Sequence, residues 1–325
     1  MKSLVIYHAD CTDGFGAAFA AWMKLGGGAE YVPMQYGSMD LKPGEVFNQT
    51  KNYHKGHRFH PKNLAGKELY ILDFSFSRAT MEHLFANAKR VVWLDHHKTA
   101  FEMWCSPEER TFFEDDFDDD GSGYVLLDNN KSGALLAWEY FHPGTEVPML
   151  IQHIDDRDRW QFKIEGSREL HAALSSYKPW SFEQWVQFQE DLDFPDGRKP
   201  RLYTEGSAIL RAQDQHVKSM AKQARKCKVT VQRGVHPEYG QTYEHFPGLA
   251  VNASLHQSEV GHELANQSGT YGLVWYLGAD NKVRCSLRSN GDYDVSAIAK
   301  SFGGGGHRNA AGFETDIDTL MGWLK

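Results

Sequence analysis

Val91-Val92-Trp93-Leu94-Asp95-His96-His97 is the stretch on which the reading of this chain turns. Its four apolar residues, β-branched and aromatic, read as a buried strand. A carboxylate and two imidazoles emerge at the C-terminal end of that strand, where open α/β sheets collect ligands and catalytic groups. Asp and His are also hard and borderline donors for divalent first-row metals. Working outward, Leu4-Val5-Ile6-Tyr7 reads as a first strand and runs into His8-Ala9-Asp10-Cys11-Thr12-Asp13-Gly14. Leu69-Tyr70-Ile71-Leu72 reads as a second and ends in Asp73. Helical patterns cover Gly14 to Lys24, closed by Gly26-Gly27-Gly28, then Ala79 to Ala88 and residues 132–142. Strands alternating with helices predict an α/β fold with a parallel sheet.

Neighbouring parallel strands carry their C-terminal ends to one sheet edge, so acids far apart in sequence meet in space. A single Asp at a strand end is more simply a helix N-cap. Three acid-bearing strand ends with histidines beside them reverse that preference. Crowded carboxylates repel, and a pair of cations relieves them. Two such metals roughly 4 Å apart suit hydrolysis of a phosphodiester or phosphoanhydride. Gly-x-Ser-x-Gly and the phosphate-cradling Gly-x-x-x-x-Gly-Lys-[Ser/Thr] are both absent.

The chain of 325 residues is long enough for two domains, and 41% hydrophobic with 24% charged residues is globular composition. A helix read over Pro148 to Ile154 is expected to deliver Asp155, Asp156 and Asp158. Asp193 to Pro200 reads as a loop, and a polar helix from about Glu205 to Lys226 as a connector. Val229-Thr230-Val231 and Gly272 to Leu277 then restart a strand pattern. The expected division is 1–204 for a catalytic domain, 205–226 for a helical linker and 227–325 for a second, smaller α/β domain, with no internal repeat. No apolar run approaches the ~20 residues that span a bilayer, and His8 and Asp10 come too early for a signal peptide. Cys11, Cys105, Cys227 and Cys285 show no paired spacing, so the cytoplasm is the expected compartment. A net charge of −8 argues against coating long nucleic acid electrostatically.

These motifs resemble the DHH phosphoesterase superfamily, the group of RecJ-type nucleases, oligoribonucleases and exopolyphosphatases. Asp95-His96-His97 is the namesake triplet; His8 through Gly14, Asp73 and the acidic cluster ending in Arg159-Trp160 match the other segments. In the C-terminal part, Ser286-Leu287-Arg288-Ser289, Asp294 to Ala299 and Phe302-Gly303-Gly304-Gly305-Gly306-His307 resemble the domain usually fused to it. The resemblance implies two divalent cations, Mn2+ being the expected pair, held by His8, Asp10, Asp13, Asp73, Asp95, His96 and Asp156, with Asp73 the candidate bridge. Asp95 and His97 are the candidate catalytic residues, His97 supporting the triplet or facing the leaving group. Asp10 and Asp13 lie three apart where the family has two acids separated by one residue, so either Asp10 or Cys11 fills the first position. Among Asp155, Asp156 and Asp158, Asp156 is the expected ligand.

Arg288, Ser289, Gly304, Gly305 and His307 are the expected substrate-binding residues; glycine backbone can approach an anion closely, although the plain alternative is a flexible turn. By the resemblance, this domain holds the far end of a short single-stranded oligonucleotide or a linear dinucleotide such as pGpG. The expected activity is hydrolysis to mononucleotides, and a homodimer is compatible with it. Two other readings stand behind this one: an exopolyphosphatase or nucleotide anhydride hydrolase, and a catalytically silent nucleotide-binding module. The run Lys218, Lys222, Arg225, Lys226 and Lys228 is read as a solvated face before a nucleic-acid track, and Glu114 to Asp120 as a solvated loop. His54, His57 and His60 lack an acid or Cys partner, Trp22 and Trp138 read as core, and nothing ties His256, Glu259 and His262 to the main site.

Overall fold

The computed structural model describes residues 3–35, 64–109, 111–116, 123–193, 199–236 and 240–324. The histidines at 54, 57 and 60 and the end of the acidic run at 117–120 lie outside them. The chain forms two compact units, Met1–Leu210 and Arg211–Lys325.

In the N-terminal unit, β1 (Ser3–His8), β2 (Ala29–Met34), β3 (Glu68–Leu72), β4 (Arg90–Asp95), β5 (Phe112–Asp116) and β6 (Gly123–Asp128) build one sheet in the order β2-β1-β3-β4-β6-β5. All pairings are parallel except β5 against β6. Both faces are covered. Val5, Tyr70, Leu72, Val92 and Leu94 enter one core with helices α1 (Thr12–Leu25), α4 (Gly133–Phe141), α5 (Met149–Asp158), α6 (Ser167–Ser176) and α7 (Phe182–Leu192). Leu4, Ile6, Leu69, Ile71, Val91 and Trp93 enter the other with α2 (Arg78–Asn87) and α3 (Lys98–Trp104). Burial on both faces is why these strands are unbroken apolar runs instead of alternating patterns. Trp138 is in the core as expected, and Trp22 packs half-buried against it.

β1 has β2 on one side and β3 on the other, so the strand order reverses there, the place at which open α/β sheets bind ligands beyond the C-terminal ends of their strands. Helix α1 ends at Gly26, whose left-handed φ of 58° stops it. Ser132 caps α4 by accepting from Leu135 N. Helix α5 runs four residues beyond Ile154, so the acids expected to follow a helix lie on it.

Helix α8 spans Arg201–Ala221, five residues short of the expected connector, and the chain is already a strand at Arg225. The C-terminal unit holds a second six-stranded sheet of β7 (Arg225–His236), β8 (Gly240–Asn252), β9 (Tyr271–Leu277), β10 (Val283–Ser289), β11 (Gly305–His307) and β12 (Ala310–Thr315), ordered β11-β12-β10-β9-β8-β7. Helices α10 (Val295–Lys300) and α11 (Ile317–Trp323) pack on one face, and α9 (Gln257–Ser268) on the other. Arg225, Lys226 and Lys228 therefore belong to an edge strand, Lys222 lies in the turn after α8, and Lys218 alone of the run is on the helix. No helix among the described residues is long and apolar enough to cross a membrane.

Candidate metal centre

The chain leaves β1 through Asp10, whose backbone is left-handed at φ 58°. That turn sends Asp10 outward, where its carboxylate accepts from Gln35 Nε2 at 3.0 Å and its carbonyl from Lys178 Nζ at 2.7 Å. Cys11 turns the other way and begins α1, with Phe15 N donating to its carbonyl. Asp13 is fully buried in the first turn; its carboxylate accepts Gly133 N at 2.7 Å and Ala134 N at 2.8 Å, tying the start of α4 to the site. A Cβ at Gly14 would lie 2.3 Å from the His8 carbonyl oxygen, so only glycine allows this approach.

Asp73 follows β3 with φ 52°, an uncommon conformation for a residue other than glycine and one often associated with functional sites. It is 1% exposed. Its Oδ1 lies 3.1 Å from His96 Nε2 and 3.7 Å from His97 Nδ1, while Oδ2 lies 3.8 Å from His8 Nδ1 and accepts no hydrogen bond. His96 Nε2 also faces Asp13 Oδ2 at 3.3 Å and Asp158 Oδ2 at 3.6 Å. One imidazole nitrogen cannot satisfy three carboxylates. Asp95 Oδ1 accepts from His96 N, His97 N and His97 Nδ1, at 2.7, 3.2 and 2.7 Å, whereas its buried Oδ2 accepts nothing.

Among the described residues of the N-terminal unit, three sets of donor atoms lie within 4.8 Å of one another: His8, Cys11 and Asp73; Asp13, His96 and Asp158; Asp73, Asp95 and His97. Two buried carboxylate oxygens without hydrogen bonds, inside sets of nitrogen and oxygen donors, fit a pair of divalent cations. The electrostatics agree. Burial, then Asp73 and Asp158, push the Asp13 carboxyl up. Burial would also raise Asp73, but the imidazoles of His8 and His96 beside it outweigh that and hold the carboxyl below its ordinary range. His96 is raised well above its ordinary value because Asp13 and Asp73 overcome its burial. Burial, followed by Asp73, Asp158 and Asp13, raises the Cys11 thiol. Such a spread is what carboxylates sharing one small volume produce.

The structure brings His8, Asp13, Asp73, Asp95, His96 and His97 together, but not Asp10 or Asp156. Residues two apart on a helix point to nearly opposite sides, so α5 directs Asp158 to His96 and Asp156 away from it. Asp155 accepts from Ser132 N at 2.7 Å and pairs with Arg159 at 3.3 Å. Asp156 accepts Lys163 N at 2.8 Å, Ile164 N at 3.1 Å and Ser167 Oγ at 2.6 Å, fixing the turn after α5. Cys11 and Asp158 stand among the alternatives that the motifs offer, neither of them the preferred one, whereas Gly133 is marked by no motif. Extending the helical pattern through residue 158 would have separated Asp158 from Asp156; no sequence signal marks Gly133, where a Cβ would meet Asp73 Cβ at 2.4 Å.

Asp156 also ends a buried relay. Ser167 Oγ donates to it, so His153 Nδ1 donates to Ser167 at 2.8 Å and His153 Nε2 accepts from Tyr203 Oη. The imidazole is thereby kept neutral, and burial lowers it to about 4 against the opposing pull of Asp156. Because the folded value lies below the ordinary 6.5, the unfolded chain takes up its proton first. The contribution is complete above about pH 6.5, falls as pH drops toward 4, and amounts to on the order of 3 kcal/mol. Tm measured across this window should fall less steeply for His153→Gln than for the wild type; equal slopes would exclude His153 as the source.

In the C-terminal unit, alternation along β10 turns Ser289 inward with Leu287, where it donates to Tyr293 O and accepts from Asn309 Nδ2. The Ser289 hydroxyl is committed to the fold. Arg288 points to the other face, half-buried, with its guanidinium donating to Ser286 Oγ, Leu287 O and Ser258 Oγ. Gly304 packs on β12, where a Cβ would lie 2.1 Å from Gly312 O. Gly305 and His307 form β11 against β12. The glycine run is thus half tight packing and half edge strand.

Residues 249–321 match the DHHA1 domain family. An uncharacterized protein of Acanthamoeba polyphaga mimivirus, R106, is 29% identical over 95% of this chain and 66% of its own length. Oligoribonuclease NrnB of Bacillus subtilis is 24% identical over 94% of this chain and 71% of its own length. The chain thus spans about two thirds of the first relative and somewhat more of the second. Among solved structures, an uncharacterized protein from Helicobacter pylori G27 aligns with 98% of this chain and 94% of its own at 15% identity and TM-score 0.37. A pGpG-specific phosphodiesterase from Vibrio cholerae aligns with the same shares at 13% identity and TM-score 0.43.

Proposed function

We propose that this chain, which belongs to the DHH superfamily, is a metal-dependent phosphodiesterase that hydrolyses short oligonucleotides or linear dinucleotides to mononucleotides. The observation that carries this reading is Asp73, buried, left-handed and common to two of the three donor sets. The similarity to an oligoribonuclease along nearly the whole chain supports the substrate class.

His8, Asp73 and Asp95 would hold one cation in this proposal, and Asp13, His96 and Asp158 the other. When bound, such a pair supplies Lewis-acid polarisation of a phosphoryl oxygen and a more acidic water. His97 is oriented by Asp95 Oδ1, which accepts from Nδ1, and is the group proposed to face the leaving group. Arg288 and His307 are the proposed donors for a substrate phosphate or base, and Arg288 is preorganised by its three oxygen acceptors. The net charge of −8 favours a short substrate, because tracking along a long strand needs a basic groove.

Product analysis with linear dinucleotides, a 5′-labelled trinucleotide and a 20-mer tests the reading. Dinucleotide turnover should exceed that of the 20-mer by at least about tenfold, a difference of about 1.4 kcal/mol in barrier. Equal rates would remove the length preference. Phosphate release from polyphosphate without nucleotide hydrolysis would replace the reading by the anhydride one.

A further inference from the structure

The first donor set contains a thiol that the expected ligand list left open. Cys11 Sγ lies within 4.8 Å of both a nitrogen of His8 and a carboxylate oxygen of Asp73. Asp10, the competing acid, is turned outward and held by Gln35 and Lys178. The extra residue between Asp10 and Asp13 accounts for the exchange. With Asp13 fixed by the backbone of α4, the position two residues before it belongs to Cys11, and the left-handed Asp10 absorbs the added length. Asp73 Oδ2, 1% exposed and accepting no hydrogen bond, is a second observation that points to a cation here.

We propose that Cys11 is a metal ligand through its thiolate, so that the centre is chemically asymmetric, with one sulfur-containing half and one half of carboxylates and imidazole. This rests on the metal-dependent reading above and adds which metal each half prefers. Ligands about 2.0–2.3 Å from a common ion sit about 3.5 Å apart, so a small change of side-chain torsions closes the set. On binding, the thiol proton leaves to solvent and the sulfur lone pair forms the bond. A thiolate beside imidazole and carboxylate selects Zn2+ or Co2+ over Mn2+, while Asp13, His96 and Asp158 keep the harder donor character that suits Mn2+.

Cobalt replacement in the full-length protein reads this directly. The Co2+-loaded wild type should show a near-ultraviolet thiolate-to-cobalt charge-transfer band. Cys11→Ser should lose it, and Cys105→Ser should keep it. Cys11→Asp, which restores a carboxylate, should lower the preference for Zn2+ over Mn2+ in a competition titration by at least tenfold, with circular dichroism showing a folded chain. A Co2+-loaded wild type without the band, or a band that survives Cys11→Ser, would overturn the assignment. Because the band reports sulfur coordination and not turnover, that outcome leaves the phosphodiesterase reading standing. Failure of metal binding in the wild type would sink both.

Discussion

Asp73→Asn should abolish the activity while leaving the fold intact. Asparagine matches aspartate in shape and tolerates the left-handed backbone at φ 52°, so the turn after β3 survives. The charge does not. Asp73 Oδ1 faces His96 and His97, Oδ2 faces His8, and the residue belongs to two of the three donor sets. Removing the one carboxylate common to both sets should drop bound metal below the wild-type stoichiometry. Turnover of a linear dinucleotide should fall at least about 10³-fold, corresponding to about 4 kcal/mol of barrier. Elemental analysis of the purified protein and steady-state kinetics check this together. Full metal content with unaltered kcat/KM would place the chemistry elsewhere.

The second large effect falls on stability and separates two neighbouring acids. Asp156→Ala deprives two backbone N–H groups and the Ser167 hydroxyl of a charged acceptor in a buried setting. Leaving such donors unsatisfied should cost about 3–5 kcal/mol and lower Tm by roughly 10 °C in a unit of this size. The protein that remains folded should still bind metal. Asp158→Asn should do the reverse, with Tm little changed and metal affinity lost, because Asp158 Oδ2 faces His96 at 3.6 Å. Thermal melts paired with metal titrations decide the matter. Loss of metal in Asp156→Ala with an unchanged Tm would restore Asp156 as the ligand.

The difference between these two acids shows where the sequence was legible. The apolar runs of β1, β3 and β4 announced buried parallel strands, because burial on both faces leaves a continuous apolar signature. β2, with Glu30, Tyr31 and Pro33, and β5, with Glu114, Asp115 and Asp116, carry no such run and were not read as strands. Both lie at edges of the sheet, where burial constrains composition less. The C-terminal glycine run was legible as unusual, but whether its glycines pack or bind was not. Contacts of β12 from within the same sheet decide that for Gly304.

The sequence by itself determined the fold class, the two-part organisation and the acid-bearing ends of three strands, since each follows from local periodicity and from the position of polar residues after apolar runs. Only the tertiary structure decided which donors converge. Asp13, Asp73, Asp95 and His96 meet because β1, β3 and β4 are neighbours and parallel. Asp158 and not Asp156 lies beside His96, because a helix rotates about 100° per residue and only one of its faces meets His96. Cys11 and not Asp10 lies beside His8 and Asp73, because the left-handed Asp10 turns its own side chain outward. Direction in space, unlike strand or helix preference, is set by elements distant in the chain.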